Sequence, residues 1–185
     1  MTVTTAEPWT KRWTREEFYL LAEQGHFRGK RVQLIDGEII EMAPQGHPHS
    51  TTISYLTHWA VSVFGADHLV RVQMPLNANA NSDPEPDVAV IPRQKYTDHP
   101  ETARLIIEVS DSSLLLDRRK AKLYAASGVE VYWIVNLADG QVEVHRHPVV
   151  AEERYEEITL FKRGQNVTPL ARPAAQLSVT ELLEW

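Results

Sequence analysis

Apolar and polar positions alternate along the chain in ways that mark out its elements. Thr14 followed by Glu17, ahead of Phe18, Leu20 and Leu21, has the form of a capping box opening a short helix that ends near Gly25. RVQLIDGEIIEMAP, starting at Arg31, sets apolar residues on both sides of Asp36-Gly37, a strong hairpin signal that predicts strands over 31–35 and 38–42. From Pro48 to Phe64 the residues Ile53, Leu56, Trp59, Ala60, Val63 and Phe64 recur at three- and four-residue spacing. That is the stripe of an amphipathic helix, closed by Gly65.

Strands are predicted next over 69–74, 87–91 and 105–109, with an Asn-rich loop over 77–82 and with Pro84 and Pro86 introducing the second. The third, LIIEV, lacks alternation, as expected of a strand buried on both faces. A helix from Asp117 as its cap to Ser127, stopped by Gly128, leads into a strand over 129–136. So direct a strand–helix–strand succession favours parallel pairing. Asp139-Gly140 turns the chain into a strand over 141–145, another follows over 154–161, and a short helix covers 179–183. The order from Pro48 is helix, three strands, helix, strand, with a β-hairpin in front and a β extension behind. The expected fold is α/β, a mixed sheet covered by helices, in one domain spanning 1–185.

Composition narrows the class. With 43% hydrophobic and 24% charged residues the chain reads as globular rather than disordered. It has no cysteine, which excludes a disulfide framework and thiolate metal sites. The start, MTVTTAEPWTKRW, lacks the basic head and apolar stretch of a secretory signal, and no run approaches the roughly 18 apolar residues of a membrane span. A cytoplasmic protein without a membrane partner is expected. The balance of 19 basic against 25 acidic residues argues against a nonspecific DNA coat, whose affinity comes from neutralising phosphates. It leaves room for an enzyme whose acids are gathered at a metal.

Glu108 is the residue that the pattern does not explain, because an unpaired charge inside a buried strand costs several kcal/mol. Asp87 opens the preceding strand. If the two strands are neighbours, both carboxylates converge at one edge of the sheet, where they repel each other unless a cation intervenes. A hard ion such as Mg²⁺, with Mn²⁺ as a substitute, suits one or two carboxylates and keeps water in its other positions. Lys120, on the following helix, could fold back over that edge, while Lys122 lies about 200° around the helix. Bland readings stand beside these. Asp87 also fits a strand start, Glu108 a pair with an arginine, Lys120 a solvated helix residue and Asp117 a helix cap.

Glu85-Pro86-Asp87, Ile107-Glu108-Val109-Ser110, the Asp117, Lys120, Tyr124 series, Gly128-Val129 and Tyr132-Trp133-Ile134-Val135 together resemble the Uma-two family within the PD-(D/E)XK nuclease-like superfamily. The Asp36-Gly37-Glu38 hairpin with Met42, Pro44 and a histidine at the next helix start is similar too. The resemblance implies a restriction-endonuclease-like core and a Mg²⁺-dependent endonuclease acting on DNA. In it Asp87 and Glu108 bind the metal with the Val109 carbonyl, Lys120 serves as the catalytic lysine with Lys122 as the alternative, and Glu38 and His49 are auxiliary. The superfamily's lysine usually stands two residues after the acid, where this chain has Ser110. That displacement keeps open a nuclease-fold binding or assembly protein without catalysis, and an enzyme acting on RNA or another phosphate ester. Exposed β edges and the apolar strands after Gln141 suggest a homodimer.

Overall fold

Six strands side by side organise the molecule. The computed structural model describes residues 8–184. Strands β3 (His68–Val72), β4 (Val88–Pro92), β5 (Leu105–Ser110), β6 (Val131–Asn136), β7 (Gln141–Val149) and β8 (Arg154–Lys162) lie in that order. Every neighbouring pair is antiparallel except β5 and β6, which run parallel because helix α3 (Leu114–Ala126) carries the chain back across the sheet between them.

β5 and β6 are buried at every position, which accounts for their lack of apolar–polar alternation. Helix α2 (His47–Phe64) covers one face, packing Ile53, Leu56 and Phe64 against Leu105, Ile107, Val109 and Trp133. On the other face Ile106 and Ile134 pack with Tyr124 of α3 and with Tyr132. Strand residues alternate faces, so Glu108 and Ser110 point to the α3 side with Ile106. The predicted order of helix, three strands, helix and strand is the order observed.

The hairpin forms as predicted, with β1 (Val32–Ile35) and β2 (Glu38–Glu41) antiparallel and both turn residues at positive φ, 49° for Asp36 and 74° for Gly37. It is stitched to the loop ahead of β4. Asp83 N–H donates to the Leu34 carbonyl and Gly37 N–H to the Asn81 carbonyl, each at 2.7 Å. A Cβ on Gly37 would lie 2.7 Å from the Arg12 Cβ, so the glycine is needed twice, for its dihedral and for its smallness. Gly37→Ala and Gly37→Asn are therefore both expected to destabilise by about 1–3 kcal/mol in urea unfolding, although asparagine tolerates the dihedral. Full tolerance of asparagine would refute the close approach.

Two element boundaries differ from expectation by more than two residues. α3 begins at Leu114, with Ser113 at its N-cap, and Asp117 lies inside the first turn as a buried residue. Its carboxylate accepts hydrogen bonds from two serine hydroxyls instead of capping the helix. β7 runs on to Val149 because β8 is equally long and pairs with it to the Val149–Arg154 end. Helix α1 (Arg15–Glu23) has the full Thr14–Glu17 capping box. At the other end β9 (Asn166–Val167) pairs with β10 (Leu177–Ser178), and α4 (Val179–Leu182) sends Val179 and Leu182 into the α2-side core. Among the described residues no helix is long and apolar enough to cross a membrane.

Candidate active site

Because Val88 stands opposite Ile107 in the β4–β5 register, Asp87 falls beside Glu108 where the two strands open. Their bonding is reciprocal. Val109 N–H donates to Asp87 Oδ2 at 2.9 Å and Asp87 N–H to Glu108 Oε2 at 3.3 Å. Gln73 Nε2 donates to Asp87 Oδ1 at 3.1 Å, and His49 Nε2 from the first turn of α2 lies 3.4 Å from Oδ2. Val109 thus enters the cluster through its N–H.

From the α3 side Lys120 reaches over the sheet, its Nζ 2.9 Å from Glu108 Oε1 and 3.3 Å from Asp117 Oδ1. Tyr124 Oη donates to the same Glu108 oxygen at 2.8 Å. Asp117 is fixed in turn by Ser110 Oγ at 2.5 Å and Ser113 Oγ at 2.6 Å. Ser110 thus holds the acid that faces Lys120. Asp117, Lys120 and Tyr124 are spaced i, i+3 and i+7, one face of a helix, a signal that was readable in the sequence.

The cluster lines a cleft of about 320 Å³. Gln33, Ile40 and Met42 of the hairpin region form one wall, Gly46 and His49 another, and Ser113 and Leu116 of α3 a third. Gln33 Oε1 is buried there without a hydrogen-bond partner among the described residues, as is His49 Nδ1.

Three buried carboxylates, Asp87, Glu108 and Asp117, face one ammonium and one imidazole. Burial pushes the Glu108 carboxyl up to about 8 against the pull of Lys120, and the charges of Asp117 and Asp87 push the same way. Burial opposes ionisation of Asp87 as well, but His49 and the Val109 N–H outweigh it and hold that carboxyl below its usual range. For Lys120 burial is outweighed by Glu108 and Asp117, which raise its ammonium above the ordinary lysine range. His49 is likewise raised, its burial overcome by Asp87 and the acids behind it.

These shifts set a pH dependence. Below pH 4.5 Glu108 is protonated folded or unfolded. Between 4.5 and about 8 the unfolded chain loses a proton that the folded chain keeps, so the unfolded state gains and stability falls. The raised His49 acts in the same direction, since its stabilising proton is lost as pH climbs past its folded value. Urea unfolding of metal-free protein is expected to show stability declining from pH 5 to 8, with a slope of up to about 1.4 kcal/mol per pH unit for a single proton. Glu108→Gln should flatten that slope. A slope unchanged by the substitution would rule Glu108 out as its source.

The remaining expected site residues lie elsewhere. Glu38 is half-exposed and clamped between Arg12 at 2.6 Å and Arg119 at 2.7 Å, outside the cleft lining. A hairpin carboxylate beside two guanidiniums satisfies itself locally. Lys122 is exposed and paired with Glu153 at 2.8 Å, on the opposite side of α3 from Lys120. Arg118 and Arg119, adjacent in sequence to Lys120, are also spoken for. Arg118 binds Glu143 through two nitrogens at 2.6 and 3.0 Å, and Arg119 pairs with Asp36 and Glu38.

The fold has a counterpart of known structure. A protein from Anabaena variabilis ATCC 29413, described as a "putative nuclease belonging to DUF820", superposes with a TM-score of 0.74 over 93% of this chain and 98% of its own, at 18% sequence identity. At that identity the likeness is one of fold. No curated protein matches the chain significantly. The sequence model of the Uma2 family, described as "Putative restriction endonuclease", matches residues 15–180, which takes in the hairpin, the sheet and every residue of the cluster. The chain belongs to the Uma2 family.

Proposed function

We propose that the protein is a divalent-metal-dependent endonuclease that hydrolyses DNA phosphodiester bonds in the cytoplasm, with Asp87 and Glu108 as metal ligands and Lys120 as the catalytic lysine. One observation supports this most: the Asp87 and Glu108 side chains each accept a backbone N–H from the other's strand, the Lys120 ammonium lies 2.9 Å from Glu108, and all three line one cleft. The donor chemistry fits the ion. The described residues hold no set of three or more acid or histidine side chains spaced as a metal cage. Mg²⁺ needs no such cage, since one or two carboxylates and water suffice. Each carboxylate also keeps an oxygen with a single, long hydrogen bond, Asp87 Oδ1 at 3.1 Å and Glu108 Oε2 at 3.3 Å. Mn²⁺, with the same preference for oxygen, is the substitute ion.

Asp87 and Glu108 would hold such a cation, which would supply acidification of a bound water and offset charge on the phosphoryl oxygens. Everything else falls to the chain. An ammonium has three donors; Lys120 gives one to Glu108 and turns a second toward Asp117, an ion pair at 3.3 Å. The third is left for the attacking water or a phosphoryl oxygen, a donor fixed in place before reaction. Ser110 and Ser113 keep Asp117 aligned, and Asp117 keeps Lys120 aligned. His49 orients Asp87. Water adds to phosphorus, the bond to the leaving oxygen breaks, and that oxygen takes up a proton.

A homodimer belongs to the same proposal. The direct test is cleavage of supercoiled plasmid and of single-stranded DNA with Mg²⁺, Mn²⁺ or chelator. Nicking that needs the metal supports the reading, and inert DNA under every condition rejects it. A second reading, a nuclease-fold binding protein without catalysis, is favoured by the depth of Lys120, 1% exposed and pinned between two acids as a structural pair would be. Titration calorimetry separates the two, because only a working site binds Mn²⁺ in a way that Asp87→Asn abolishes. The same titration run against RNA and small phosphate esters addresses the remaining alternative substrates.

A further inference from the structure

Gln33 stands opposite Ile40 in the β1–β2 register, and Met42 N–H donates to the Arg31 carbonyl at 2.8 Å, which sets Arg31 opposite Met42. All four side chains line the cleft, as alternate positions on one face of a hairpin should. Val32, between Arg31 and Gln33, lines a different cleft beside α1. One wall of the cleft that holds Asp87, Glu108 and Lys120 therefore carries two apolar side chains and two polar ones.

Neither polar side chain is consumed by the fold. Gln33 is 2% exposed, yet its Oε1 has no hydrogen-bond partner among the described residues, and its Nε2 has none either. Leaving a buried amide group unpaired costs about 1–3 kcal/mol, which a residue serving the fold alone would avoid. Arg31 is also loosely held. Among the described residues its side chain pairs with Glu85 alone, at 3.7 Å, beyond hydrogen-bonding distance. The other cationic groups of the lining are held more closely, Lys120 by Glu108 at 2.9 Å and His49 by Asp87 at 3.4 Å. Glu85 stands two residues before Asp87, so the guanidinium is tied to the chain segment that carries that carboxylate.

A guanidinium presents paired N–H donors that match phosphate oxygens. A carboxamide has one donor end and one acceptor end, the match of a nucleobase edge, and a half-turn about its last torsion brings either end to the cleft. We propose that this hairpin face holds the substrate strand: Arg31 binds a phosphodiester neighbouring the one to be cleaved, and the Gln33 carboxamide hydrogen-bonds the base edge of an adjoining nucleotide. This rests on the nuclease reading above and adds two substrate-positioning residues to it. Contact with the nucleotide supplies the hydrogen bonds that the folded chain withholds from Gln33.

Fluorescence anisotropy of a short labelled DNA, single-stranded and duplex, titrated with protein at several salt concentrations, tests it. Ca²⁺, another hard cation with oxygen ligands, stands in for Mg²⁺ to slow cleavage. Gln33→Leu should weaken DNA binding about 10-fold, with a melting temperature equal to or above that of wild type, because an unpaired amide gives way to an apolar group of similar size. Its Mn²⁺ affinity by calorimetry should be unchanged. Arg31→Gln should lower the slope of log affinity against log salt by about 0.7 to 0.9, the loss of one phosphate contact, whereas Gln33→Leu should leave that slope alone. A Gln33→Leu variant that melts lower, binds DNA like wild type or loses Mn²⁺ overturns the nucleotide contact. An unchanged slope in Arg31→Gln overturns the phosphate contact. Each of these results leaves the nuclease reading standing, whereas a wild type that binds neither DNA removes that reading and the substrate wall with it.

Discussion

Glu108→Gln is expected to leave the protein folded while metal-dependent DNA cleavage falls by more than ~100-fold. The amide keeps the shape of the side chain, and its oxygen still accepts from Lys120 and Tyr124 as Glu108 Oε1 does at 2.9 and 2.8 Å. What disappears is a carboxyl that burial keeps protonated up to about pH 8, together with one long bond from Asp87 N–H at 3.3 Å, so unfolding free energy near neutral pH should change by no more than about 1 kcal/mol. The loss of activity has a separate cause. A neutral amide oxygen is a poor ligand for a hard divalent ion, and half of the charged donor pair is gone. Initial cleavage rates beside urea unfolding separate the two effects. A variant that cuts DNA at the wild-type rate would remove Glu108 from the mechanism, whatever its stability.

Lys120→Met should be the most destabilising single change in the cleft. Its aliphatic stem is conserved by the substitution, but Glu108 and Asp117 lose the only ammonium that faces them among the described residues. Breaking a buried pair from one side costs about 3–5 kcal/mol. The deficit should stay constant from pH 5 to about 8, where Glu108 keeps its proton with or without the ammonium, and grow above pH 8. Cleavage should fall about 100- to 1,000-fold, the usual consequence of losing one preorganised donor. Adding Glu108→Gln should restore most of the stability and none of the activity, since removing both charges of a buried pair is often close to neutral. Lys122→Met, on an exposed residue paired with Glu153, should change stability by less than about 0.5 kcal/mol. If Lys122→Met and not Lys120→Met abolished cleavage, the lysine assignment would be reversed.

These two variants also mark what the sequence could say. The hairpin at Asp36-Gly37, the stripe of α2 and the buried runs of β5 and β6 were readable because each is set by local spacing, turn chemistry and alternation. Asp87 and Glu108 stood out because a carboxylate within or beside an apolar strand contradicts its surroundings. Asp117 was misread as a cap because an acid before a helical stretch looks the same in sequence whether it caps the helix or turns inward, and only the α3 start at Leu114 decides. Glu38 failed to join the cluster for a related reason. Hairpin position alone does not reveal that Arg12 and Arg119, 26 and 81 residues away in the chain, hold its carboxylate.

The sequence by itself determined the main elements, favoured the parallel step from β5 to β6 and identified the unpaired charges, while the short β9–β10 pair was not read from it, since propensity and periodicity act over a few neighbouring residues. Tertiary structure decided which charges meet. Lys120 reaches Glu108 and Lys122 does not because α3 turns one face to the sheet, and the same packing gives Arg118 and Arg119 partners of their own. Electrostatic compensation depends on distance through space and on burial. Neither is fixed until β4, β5 and α3 have closed around the same few ångströms.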